Sequence, residues 1–178
     1  MWLLNRAGKI PFVISCQGQE AAQVGAAFAL DNTKDYIAPY YRDMGVVLHF
    51  GMTPKDLMLS AFAKAEDPNS GGRQMPGHFG QKKNRILTGS SPVTTQLPHA
   101  VGVALAAKIE KKDFITFVTL GEGSSNQGDF HEGLNFAGVH QLPCITMVEN
   151  NKYAISVPFE RQVASKNVAD RASSYGMP

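Results

Sequence analysis

Between Phe114 and Val157 the apolar positions pass from strand-like to helical spacing and back. Phe114, Ile115, Phe117, Val118 and Leu120 form a run rich in β-branched and aromatic residues, the pattern of a strand buried on both faces. The run ends in Gly121-Glu122-Gly123, after which Phe130, Leu134, Ala137 and Gly138 recur at helical spacing. A second apolar run, Cys144 to Val148, ends in Glu149-Asn150-Asn151. Upstream, the pattern predicts a helix end in residues 1–10, a helix over AAQVGAAFAL and a turn at Asp31–Asp35. A short strand at Tyr36–Ala38 follows, then a helix from Met44 to Phe50 that Gly51 is placed to cap. Thr53 as N-cap and Pro54 at the first position open the next helix. Residues 66–90 read as a long Gly/Pro/polar loop, and loops of that length are usually functional or mobile. The last helix before the central strand, HAVGVALAAKIE, is apolar almost all round and is expected to be buried, with Gly102 and Ala106 allowing tight packing.

Two strands joined by a helix make a right-handed crossover with parallel strands. The polar turns after Leu120 and Val148 then lie at the carboxyl ends of neighbouring strands, where open α/β sheets place ligands. Glu122 offers a carboxylate there and Asn151 an amide oxygen. The glycines flanking Glu122 let backbone approach closely. A small set of hard oxygen donors without Cys or His suits Mg²⁺, which keeps positions for water and for substrate phosphates.

Composition narrows the class. The chain has 178 residues, 43% apolar and 18% charged, enough for one domain with a sizeable core. A net charge of +2 gives no reason to expect nucleic acid. Apolar runs stay short of the ~18 residues of a membrane span, and Met-Trp-Leu-Leu-Asn-Arg is too short for a signal core. The two cysteines, Cys16 and Cys144, sit in apolar contexts and read as buried reduced thiols.

GEGSSNQGDFHEGLNFA followed by ENNKYAISVP resembles the thiamine diphosphate signature usually written GDG…NN. The longer text resembles the alpha subunit of the decarboxylating component of 2-oxo acid dehydrogenase complexes, over essentially the whole chain. Glu122 stands where Asp is commoner, and branched-chain members of that family can carry Glu there. The resemblance implies an α/β fold of three layers with a mostly parallel sheet, C-terminally truncated here, with residues 1–178 as one thiamine diphosphate/Mg-binding domain. By match, Tyr41 and Arg42 contact the diphosphate, an assignment that suits an Arg fork. Ser91 and Val93 face the cofactor, with Gly121, Glu122, Gly123, Ser124 and Asn151. Glu122, Asn151 and the Tyr153 carbonyl hold Mg²⁺, and Ser90, Pro92, Thr95 and Gln96 supply oxygens to a potassium ion. His78 lies on the loop that the match puts near the substrate channel.

The implied activity is oxidative decarboxylation of branched-chain 2-oxo acids, with the acyl group passed to lipoyl. The implied partners are a beta subunit, in a heterotetramer of two alpha and two beta chains, and a lipoyl-bearing acyltransferase core. The implied location is the cytoplasm in a bacterium and the mitochondrial matrix in a eukaryote. Family members continue well beyond Pro178, so a fragment lacking the C-terminal active-site histidine is expected. Alternatives are a pyruvate or acetoin relative, a non-catalytic assembly fragment, and a Rossmann dehydrogenase using Glu149 on the ribose. Asn126 in the third glycine position argues against the last.

Overall fold

β2 (Thr116–Gly121) is buried at every residue and is the middle strand of a parallel sheet, with β1 (Tyr36–Ala38) on one side and β3 (Cys144–Glu149) on the other. Phe117, Val118 and Leu120 are the reason: removing each from water contributes about 1.5–3 kcal/mol. The register runs from Tyr36↔Thr116 on one side and from Thr116↔Cys144 to Gly121↔Glu149 on the other. It is pinned at its start, where the Ile115 amide donates to Asp35 Oδ1 at 2.9 Å and the Tyr36 amide to the Ile115 carbonyl at 3.0 Å. The crossover from β2 to β3 is the helix α6 (Gly128–Val139), as the helical spacing predicts. The parallel α/β expectation therefore holds.

This computed structural model describes residues 1–178 and divides them into two compact units. The first comprises residues 1–33 and 39–89, and the second comprises residues 34–38 and 90–178. In the first, α1 (Trp2–Arg6) precedes α2 (Glu20–Phe28), which packs on α3 (Met44–His49). Gln23 is fully buried there because both ends of its amide are used: Nε2 donates to the Arg42 carbonyl and Oε1 accepts from the Gly45 amide, each at 3.1 Å. α3 ends at His49, and Gly51, just past its Phe50 C-cap, has a φ of +100°, the left-handed setting expected of a capping glycine. α4 (Pro54–Ala61) opens on the expected Thr53 cap, and Asp56 completes a reciprocal capping box.

The 66–90 segment has more internal structure than its composition predicts. Asp67 gathers the amides of Asn69, Ser70 and Gly72, a bridge joins Gln81 to Ile86, and Phe79 and Ile86 are buried.

In the second unit, α5 (Gln96–Glu110) packs on the sheet strands and on α6. Here the expectation of a helix buried all round is corrected. Leu97, Ala100, Val101, Ala104 and Ala107 are buried, whereas Ile109 is 71% exposed and a side chain at Gly102 would meet nothing within 4 Å. An apolar composition cannot say which face has a neighbour, and the small residues on this face meet open space. β3, one of the two edge strands, likewise exposes Ile145 by 50%. Neither cysteine is in a disulfide, but both are half-buried rather than buried. Burial still pushes the Cys144 thiol up to about 12, with a hydrogen bond to Thr146 acting the other way. No helix is long and apolar enough to cross a membrane.

Candidate functional site

β2 delivers the chain into a 3-10 turn, Glu122–Asn126, level with the end of β3. Three carbonyls of this turn are tied down. Ser125 Oγ donates to the Glu122 carbonyl at 2.6 Å, and Thr94 Oγ1 to the Ser124 carbonyl at 2.8 Å. The Ser125 carbonyl accepts from Arg171. Below the turn, Gln96 Nε2 donates to the Thr119 carbonyl at 3.1 Å. Glu122 itself is 2% exposed, and no hydrogen bond reaches its Oε1. A buried carboxylate oxygen without a partner costs several kcal/mol unless a cation or donor meets it. The turn is held rigid around an oxygen that the protein leaves unmatched.

The second polar turn lies against the first. A side chain at Gly123 would put its Cβ 2.8 Å from Ala154 Cβ, so only glycine permits this approach. Ala154 belongs to β4 (Tyr153–Ala154), which pairs antiparallel with β5 (Val157–Pro158). Asn150 Oδ1 accepts from the Lys152 amide and Asn151 Oδ1 from the Tyr153 amide, both at 2.9 Å. Asn150 thus shapes the turn. Asn151 is exposed, and its amide oxygen has a second lone pair to offer. The structure therefore sets the Glu122–Asn126 turn against Tyr153–Ala154, the strip that follows Asn151. A carboxylate, an amide oxygen and backbone carbonyls on two adjoining turns form the donor set Mg²⁺ takes, so these residues fit that ion.

The 90–96 segment reaches the same turn through a residue that sequence reasoning missed. Thr94 is fully buried and has φ +80°, a strained setting for a β-branched side chain. Its one hydroxyl bond runs to the Ser124 carbonyl. Nothing in Ser-Pro-Val-Thr-Thr-Gln marks this Thr over its neighbour, since either reads as a helix cap. Ser91 and Val93 are exposed. Thr95 Oγ1 bonds Asp129 Oδ2 at 3.3 Å. Arg171 was also missed, because its surroundings carry no motif.

Tyr41, Arg42 and His78 belong to the first unit. Arg42 Nε donates to the Tyr40 hydroxyl at 3.0 Å and Nη1 to the Ser15 carbonyl at 2.8 Å, with the guanidinium 5.4 Å from the Tyr41 ring centroid. Burial, reinforced by Tyr41, pushes the Tyr40 hydroxyl pKa far up, so it stays protonated. A Cβ on Gly77 would meet the Tyr41 backbone at 3.1 Å, which sets this part of the long loop against the Tyr41–Arg42 pair. His78 is half-buried, with Nδ1 2.8 Å from the Met75 carbonyl.

A cavity of about 810 Å³ in the second unit is lined mostly by apolar groups such as Phe130, Leu134, Val148 and Val168, and it also touches Asn150 and Arg171. None of the metal or cofactor residues expected from the sequence lines it.

The family model described as dehydrogenase E1 component matches residues 1–178. The chain is 80% identical over 178 residues to the 2-oxoisovalerate dehydrogenase subunit alpha of Bacillus subtilis (strain 168), covering all of this chain and 54% of that protein. It is 39% identical over 173 residues to the mitochondrial 2-oxoisovalerate dehydrogenase subunit alpha of Homo sapiens, covering 97% of this chain and 38% of that one. The chain thus spans about half or less of these relatives' length. A solved Mycobacterium smegmatis chain, described as a putative thiamin diphosphate-dependent enzyme, superposes with a TM-score of 0.55 at 18% identity. That match covers 89% of this chain and 25% of the other, and it bears on the fold alone.

Proposed function

The chain belongs to the dehydrogenase E1 component family, and on that premise we propose that it carries the metal-and-diphosphate half of a thiamine diphosphate site in a branched-chain 2-oxo acid dehydrogenase. Residues 1–178 serve as the alpha subunit's cofactor-binding domain. The observation that carries the reading is the buried Glu122 Oε1 without a partner, in a turn fixed by Thr94, Ser125 and Arg171. Glu122, Asn151 and the Tyr153 carbonyl hold Mg²⁺. Gly121, Gly123 and Ser124 let the turn lie close to the diphosphate, while Ser91 and Val93 line the cofactor. Tyr41 and Arg42 add a cation already oriented by Tyr40 and Ser15. Thiamine diphosphate, when bound, supplies the nucleophilic carbon and electron sink for decarboxylating a 2-oxo acid. This chain's residues anchor and orient that group, and His78 stands as a substrate-side candidate.

The branched-chain substrate class rests on the name shared by the bacterial and mitochondrial relatives. Their designation as alpha subunits supports a second subunit type as partner, and we extend this to a beta subunit and a lipoyl-bearing acyltransferase core. The human relative is named mitochondrial, and we place the chain in the cytoplasm of a bacterium or the matrix of a mitochondrion. The test is decarboxylation of several 2-oxo acids by the full-length chain with its beta subunit. Highest kcat/KM is expected for branched acids, and a preference for pyruvate would move the chain to the pyruvate branch.

Potassium belongs to the same reading. Ser90, Pro92, Thr95 and Gln96 offer only oxygens, and two of these side chains spend their hydrogens elsewhere. Thr95 bonds Asp129 and the Gln96 amide bonds the Thr119 carbonyl, which leaves oxygen lone pairs for a cation. Potassium should raise the melting temperature of the assembly in a concentration-dependent way. Equal melting in sodium and potassium would remove this site.

A further inference from the structure

Arg171 is a half-buried cation that meets no carboxylate. Its Nη1 donates to the Ser125 carbonyl and, at 3.1 Å, to Ser125 Oγ; its Nη2 donates to Asn126 Oδ1 at 3.0 Å. The chain's ion pairs, Lys34–Asp113 and Lys112–Glu110, lie elsewhere on the surface. Ser125 Oγ in turn donates to the carbonyl of Glu122. A continuous relay therefore runs from the guanidinium through one hydroxyl to the backbone of the residue whose side-chain oxygen is left unmatched. Each bond in such a chain polarises the next.

The guanidinium is itself held in place. The 3-10 segment that carries it, Val168–Tyr175, begins with a capping box between Asn167 and Asp170 and buries Val168. Its Tyr175 hydroxyl bonds His131 Nδ1 on α6, and the Tyr175 carbonyl lies where a side chain on Gly138 would have to go. Anchored at both ends, the segment presents a planar fork to two successive residues of the turn. An ammonium cannot reproduce that arrangement.

We propose that Arg171 is a positioning residue for the metal site: it orients the Ser125 hydroxyl and so sets the backbone from which Glu122 projects. This rests on the metal-site reading above. Arg171 touches neither metal nor cofactor on this account and acts only through Ser125 and Asn126.

The test uses the full-length chain assembled with its beta subunit. Thiamine diphosphate with Mg²⁺ is titrated calorimetrically into wild type, Arg171→Ala, Arg171→Lys, Ser125→Ala and Glu122→Gln, and melting is recorded without ligand. Supporting partners of metal ligands are worth roughly 10- to 100-fold in affinity, so Arg171→Ala should lose on that order and Arg171→Lys less. Millimolar guanidinium should restore part of the affinity of Arg171→Ala, which a general loss of packing would not allow. Wild-type affinity in Arg171→Ala alongside a loss in Glu122→Gln would overturn the role of Arg171 and leave the metal site standing. Wild-type affinity in Glu122→Gln would instead remove the metal site. A lowered melting temperature with unchanged affinity would make Arg171 structural only and also overturn the proposal. Should Arg171→Ala fail to fold, Arg171→Lys and Ser125→Ala decide: wild-type affinity in both overturns it.

Discussion

Glu122→Gln should weaken magnesium-dependent binding of thiamine diphosphate by at least the 10- to 100-fold typical of damage to a metal's supporting shell. The substitution keeps the length and shape of the side chain and removes its charge. Glutamine also brings an amide NH₂ into the place of a carboxylate oxygen that is buried and unmatched. Those donors would face a cation and find no acceptor, so the loss is electrostatic rather than steric. The protein without ligand should be no less stable, because a buried carboxylate oxygen lacking a partner is costly before the metal arrives. Titration of cofactor at fixed magnesium, paired with melting of the unliganded protein, separates the two effects. Unchanged affinity would withdraw Glu122 from the metal site. A large fall in unliganded stability would show that Glu122 has a structural partner.

Leu120→Ala should cost about 2–5 kcal/mol of stability, as buried leucine truncations do. Leu120 is fully buried on the central strand, two residues before Glu122, and pairs with Val148 of β3. A gap there removes contacts that a parallel sheet cannot recover by shifting one strand, because register is shared with β3 through Gly121↔Glu149. For a chain of this size the melting temperature should fall on the order of 10 °C. Chemical denaturation of the full-length chain measures the cost directly, and a change below about 1 kcal/mol would contradict the burial of this strand end. Cofactor binding should weaken as well, because the turn that presents Glu122 begins where this strand stops.

The local order of the chain was legible in its residues. Continuous apolar runs and a period-3.6 stretch located β2, β3 and α6, and the crossover rule then made the strands parallel and put both polar turns at one edge. Caps were readable for the same reason: Thr53, Pro54 and Gly51 act on atoms only a few residues away. Glu122 and Asn151 could be nominated because the crossover sets a carboxylate and an amide at neighbouring strand ends, although Asn151 also has a local use in accepting from the Tyr153 amide. Resemblance to a known family extended that nomination to Tyr41, Arg42 and the 90–96 segment, whose roles no spacing reveals.

Only the tertiary structure decided which groups support Glu122. Thr94 and Arg171 reach its turn from 30 and 46 residues away, through hydrogen bonds to backbone carbonyls that carry no residue signature. The strained backbone of Thr94 is sustained by its burial and its bond to Ser124, neither of which a Thr-Thr pair announces. Which face of α5 is covered, and how far β3 is exposed, depend on neighbours rather than on composition, so an apolar helix could not reveal its open side. Local periodicity determines elements because its physics acts within a few residues. Burial, orphaned oxygens and long-range clamps are properties of pairs distant in the chain, and they exist only once it has folded.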